Sequence, residues 1–69
     1  MLVKLIKMQE TSRAYRFLGQ TGTLNITNGT FIFVAENGMF LSGTILDKDF
    51  SSKYIEIQNE NNVFTFELI

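Results

Sequence analysis

Histidine and cysteine are both absent from these 69 residues. That removes imidazole acid–base catalysis, Ser-His-Asp and Cys-His nucleophiles, thiolate metal sites and disulfides. Carboxylates and cations are what remain for chemistry. Asp47 and Asp49 are the closest acidic pair, and their Asp-x-Asp spacing matches the opening of a calcium loop. Ser52, however, stands where that loop turns on glycine, and Gln58 where it closes on an acid. Gly19, Gly22 and Gly29 precede neither a Lys-Ser/Thr pair nor a helical pattern, so they form no phosphate cradle. A non-enzymatic protein without metal or cofactor is expected. The cations are unevenly placed: Lys4, Lys7, Arg13 and Arg16 fall in the first sixteen positions, whereas five of the seven acids lie beyond residue 46. If the chain forms a hairpin around Glu10-Thr11-Ser12, Lys7 and Arg13 flank its loop. Together with Arg16 they could hold a phosphate or carboxylate, or simply keep an edge strand soluble.

Such groups need a scaffold, and composition bounds it. A chain this short makes one domain, 1–69, and buries only about 60% of its unfolded surface. Without disulfides or metal it must rely on a well-packed core, on association, or on both. The apolar fraction is 45% and charged residues are 19%, below the roughly 25% charge of an average soluble domain. With net charge −1 and pI ≈ 5.1, copies repel one another little, and the basic excess of a general nucleic-acid binder is missing. Lys4 and Lys7 interrupt the apolar run Met1–Met8 and no small-residue cleavage site follows. No apolar run approaches the ~20 residues of a membrane span, so a cytoplasmic location is the expectation. Ile, Phe and Asn supply twenty residues, as in an AT-rich bacterial or phage gene.

Short stretches rich in Phe, Ile, Val and Thr alternate with glycine and asparagine punctuation, and proline is absent. This predicts an all-β fold: a small antiparallel meander of six or seven strands forming a barrel or roll. The expected strands are 2–9, 13–18, 22–27, 30–36, 39–46, 53–58 and 62–68. The first of them, with Leu2, Val3, Leu5, Ile6 and Met8, fits a bulged strand better than a helix. Asp47 to Ser52 reads as the longest polar connection and a mobile loop.

Asn28-Gly29 and Asn37-Gly38 each suit a two-residue type I′ turn, which would fix register. Around the first, Leu24 faces Phe33 and Ile26 faces Phe31, giving a core face. Around the second, Ala35 would meet Phe40 on the core side, with Val34 opposite Leu41 and Glu36 opposite Met39 on the reverse. Ile32, Val34, Met39 and Leu41 then gather on the face that should be polar. They would need cover from the N-terminal segment, another copy of the chain or a protein partner. Tyr15, Phe17, Ile45, Ile55, Ile57, Phe64, Phe66 and Leu68 are the further core candidates.

Gly22-Thr23-Leu24-Asn25-Ile26-Thr27 followed by Phe31-Ile32-Phe33 resembles the core of GRAM and pleckstrin-homology-like domains. Ile55-Glu56-Ile57 and Phe64-Thr65-Phe66 are similar to that family's closing strands. The resemblance covers about two-thirds of the chain and implies a binding module on a small barrel, of that kind or SH3-like. The family's C-terminal helix has no counterpart in these residues. Its phosphoinositide-binding members carry basic residues around the first hairpin, where Lys7, Arg13 and Arg16 lie without the family's close spacing. Two functions are expected. One is a module that self-associates or docks a protein through Ile32, Val34, Met39 and Leu41. The alternative is an anion-binding module for phosphorylated lipid or nucleic acid, using Lys7, Arg13 and Arg16.

Overall fold

Alternation of apolar and polar residues produces most of the architecture directly. The computed structural model describes every residue except Thr11 and Ser12, with Arg13 described by its backbone alone. Seven strands form: β1 (Leu2–Met8), β2 (Thr21–Thr27), β3 (Thr30–Ala35), β4 (Phe40–Thr44), β5 (Asp47–Phe50), β6 (Tyr54–Asn59) and β7 (Asn62–Leu68). All pairings are antiparallel, in one sheet ordered β4-β3-β2-β1-β7-β6-β5. The expected all-β meander is therefore what folds. The irregular pattern of β1 is a bulged strand, its register against β7 shifting between Leu5 and Lys7.

Two segments differ from expectation. Residues 13–18 do not form a strand; Arg13–Phe17 is a 3-10 turn. Ala14 and Phe17 are buried while Tyr15 is exposed, so the apolar spacing that matters is three, the period of that helix, and Tyr15 leaves the core. The basic hairpin around Glu10-Thr11-Ser12 is thereby lost: β1 pairs with β2 instead, and the turn expected there lies partly outside the described residues. Asp47–Phe50, read as a mobile loop, is the edge strand β5, paired with β6 from Asp47↔Gln58 to Phe50↔Ile55. Its charges disfavour a central strand but suit an edge.

The core lies inside the curl of the sheet. Val3, Leu5, Leu24, Phe31, Phe33, Ile55, Ile57, Phe64 and Phe66 are all buried, and the 3-10 turn adds Phe17. Phe33 of β3 meets Phe66 of β7 with ring centroids 5.2 Å apart, and Phe31 meets Phe64 at 5.8 Å. These strands are separated by β2 and β1 in the sheet, so the rings can touch only because the sheet rolls over them. Rolling also brings the two edges together at one corner. Ile45 and Leu46 alone link β4 to β5, and Asn59 Nδ2 donates to the Thr44 carbonyl at 2.8 Å. Gly43 permits this approach, since a Cβ there would meet Asn59 Nδ2 at 2.5 Å and Phe31 Cε1 at 3.3 Å.

One buried polar side chain ties the end of β1. Asn62 accepts from the Glu10 N–H and donates to the Glu10 carbonyl, both at 2.9 Å, in the manner of a paired strand residue. Asn62→Ala should leave both backbone groups unmatched and cost about 1–3 kcal/mol. Phe66→Ala should cost about 3–5 kcal/mol, most of the margin of a small domain. Urea unfolding of each variant measures both, and a loss under ~0.5 kcal/mol in either would contradict the assignment.

Candidate docking surface

Between Arg16 and Asp47 the sequence holds one charged residue, Glu36, so β2, β3 and β4 carry none. The formal charges sit on the other half of the sheet, on the turns and within the 3-10 turn. Alternation gives this uncharged half an inner face, the core, and an outer face whose rows follow from register. Leu2, Thr23, Val34 and Phe40 lie side by side across four strands. Asn25, Ile32 and Ser42 form the next row, then Thr27, Thr30 and Thr44. A shallow concavity of about 390 Å³ lies over the last two rows, lined by Asn25, Thr27, Thr30, Ile32, Ser42 and Thr44.

The register expected at Asn28-Gly29 is the one that forms: Leu24↔Phe33, Ile26↔Phe31, Asn25↔Ile32 and Thr23↔Val34. Asn28 and Gly29 both have positive φ, 50° and 76°, as a type I′ turn requires. At Asn37-Gly38 only Gly38 is left-handed, at 89°. The Gly38 N–H donates to the Ala35 carbonyl at 2.9 Å, and the Ala35 N–H to the Met39 carbonyl at 2.8 Å. The loop is thus three residues, a turn ending in a glycine bulge, and the register of β4 slips by one from expectation. Val34 pairs with Phe40, not Leu41, and Phe33 pairs with Leu41.

A one-residue slip exchanges faces, and its effect on the four expected surface residues is specific. Ile32 and Val34 are on the outer face, 36% and 37% exposed. Met39, at the end of the turn, is partly exposed, and the Asn37 side chain folds onto it through Nδ2–Sδ at 3.4 Å. Leu41 leaves the group, turning inward to pack against the core. Phe40, expected inside opposite Ala35, takes its place outside and is 62% exposed. No signal in the dipeptide separates the two turn types, because Asn-Gly serves both. Leu2, also exposed, extends the row through Thr23 and shows only once β1 is paired with β2.

The basic residues do not converge. Lys7 lies opposite Thr65 on β7, in a shallow groove that also includes Glu56. Arg16 lines a different concavity with Ala14, Phe17, Met39, Phe40 and Leu41. Lys4 pairs with Glu67 across β1 and β7. Arg13 opens the 3-10 turn, and its side chain lies outside the described residues. Asp49 on β5 faces Glu56 on β6, and among the described residues no three acidic, histidine or cysteine side chains gather as a metal group. No helix among the described residues is long and apolar enough to cross a membrane. The chain matches no protein-family model, no curated protein and no solved structure.

The register can be read in solution. Cross-strand Hα contacts should link Val34 to Phe40 and Ile32 to Ser42, in the close non-hydrogen-bonded pairs of an antiparallel ladder. A nuclear Overhauser spectrum with Hα contacts of Ala35 to Phe40 and of Phe33 to Ser42 instead would restore the two-residue turn.

Proposed function

We propose that this chain is a non-enzymatic interaction module that docks protein through the uncharged outer face of β2–β4. The docked surface is another copy of the chain or a different polypeptide. One observation carries this reading: Phe40 stands 62% exposed beside Val34 and Ile32 on a sheet half without a single charge. Depletion of charge around an aromatic anchor is what marks the centre of protein interfaces. The polar rows of Thr27, Thr30, Thr44, Asn25 and Ser42 supply a neutral hydrogen-bonding rim. The resemblance to GRAM and pleckstrin-homology-like cores points the same way, toward a binding module.

Complete burial of a Val, Ile or Phe side chain is worth about 1.5–3 kcal/mol. Ile32 and Val34 are already about two-thirds covered within the chain, whereas Phe40 retains most of its exposure, so Phe40 has most to gain. Phe40→Glu should therefore weaken association at least as much as Val34→Glu, and the double variant should abolish it while circular dichroism stays that of the parent. Sedimentation mass at two concentrations and capture of partners on immobilised protein provide the readout. A folded double variant with unchanged mass and unchanged capture would end this reading.

A further inference from the structure

The backbone hydrogen bonds of β4 alternate, and that alternation defines an unpaired edge. Met39 bonds to Ala35 through its carbonyl, and the Ile45 N–H donates to the Gly29 carbonyl at 2.7 Å. With the register Phe33↔Leu41 and Phe31↔Gly43 between them, the residues that bond to β3 are Met39, Leu41, Gly43 and Ile45. The N–H and C=O groups of Phe40, Ser42 and Thr44 therefore point away from the sheet. The Thr44 carbonyl receives Asn59 Nδ2. No described strand pairs with Phe40 or Ser42 on that side.

A groove runs along this edge. Two concavities, about 280 and 450 Å³, share Ala14 and Leu41 and so lie side by side along it. Its floor is apolar, with Phe17, Phe31 and Phe64 reaching it from the core. At one end the rim is made of amides, Asn59 and Asn61. At the other end stands Arg16, the one charged side chain among the described residues lining either concavity. The opposite edge, β5, is guarded by Asp47, Lys48 and Asp49, the usual defence against strand addition. β4 has no such defence.

We infer that the β4 edge binds an extended segment of another protein, added as an antiparallel strand in the groove between β4 and the 3-10 turn. This site uses the backbone edge of β4 and not the outer-face side chains of Ile32 and Val34, and it meets the outer face only at Phe40. The segment bonds to the N–H and C=O of Phe40 and Ser42, as in strand-addition recognition generally. Its residue opposite Leu41 points to the same side as Leu41, onto the apolar floor, and so is apolar. Running antiparallel, the segment reaches the Arg16 end with its later residues. Two positions after the apolar residue it places a side chain on the groove side again, and there the guanidinium selects Asp, Glu or a terminal carboxylate. The recognised pattern is apolar-x-acidic.

A display library of random heptapeptides, selected against the intact chain, tests this. Enrichment of apolar-x-acidic sequences is expected, with peptide-induced amide shifts at Phe40 and Ser42. Arg16→Glu should weaken a selected peptide roughly tenfold or more and turn the acidic preference to Lys or Arg on reselection. Ser42→Pro should abolish binding without unfolding the chain, because the Ser42 N–H is not used by β3 and proline is tolerated on the open side of an edge strand. Were Ser42→Pro to unfold, the Arg16→Glu reselection still decides. No enrichment, or a consensus indifferent to Arg16→Glu, would overturn the inference. Shifts confined to Ile32 and Val34 would overturn it too, while leaving docking on the outer face intact.

Discussion

The contact of Phe31 and Phe33 with Phe64 and Phe66 sets the shape of the molecule. Each ring pair adds about 0.5–1.5 kcal/mol beyond its area burial, but the larger effect is geometric. The pairs join β3 to β7 across two intervening strands, so the sheet cannot lie flat while they are satisfied. Once it rolls, β4 and β5 meet at one corner, where Gly43 lets Asn59 reach the Thr44 carbonyl. The 3-10 turn then has a place to seat Phe17 against Phe33, ring centroids 6.2 Å apart. The groove beside β4 is what remains between that turn, the β6–β7 hairpin and an edge with no ladder of its own.

Charge is distributed in the same uneven way. The half of the sheet that carries Lys4, Lys7, Asp47, Asp49, Glu56 and Glu67 mixes both signs across neighbouring strands and presents a surface that is hard to dock. The half made of β2, β3 and β4 presents threonine, asparagine, serine and a few large apolar groups. Water can be stripped from such a surface without desolvating an ion, which is the costly step in burying charge. The proposed docking rests on that difference together with the exposure of Phe40.

The first hairpin matches its sequence reading because Asn28-Gly29 takes the two-residue form, with both residues left-handed, and the pairing of β2 with β3 follows. The second does not. At Asn37-Gly38 the Asn does not go left-handed and the loop takes in Glu36 as a third residue, and that extra residue decides that Phe40 and not Leu41 faces water. Tyr15 and Phe17 alternate like strand residues, yet Ala14 and Phe17, three apart, are the pair that the core takes. Asp47–Phe50 has the composition of a loop and becomes a strand because β6 offers a free edge beside it, a tertiary effect that no local pattern reports. Of the surface residues expected from register, Ile32 and Val34 depended on the secure hairpin and Leu41 on the ambiguous one.

The pairing of β1 with β7 also has a temporal meaning. During synthesis β1 can join β2 as soon as the latter is made, but its other edge must wait for the last strand, nearly the whole chain later. Pairings of such long sequence separation are slow to form. Through that interval Phe31 has no partner ring and Phe33 has only Phe17, and the uncharged strands β2, β3 and β4 stand as an open template. The folding chain is therefore most prone to sticking to its neighbours before β7 docks and Phe64 and Phe66 close over Phe31 and Phe33.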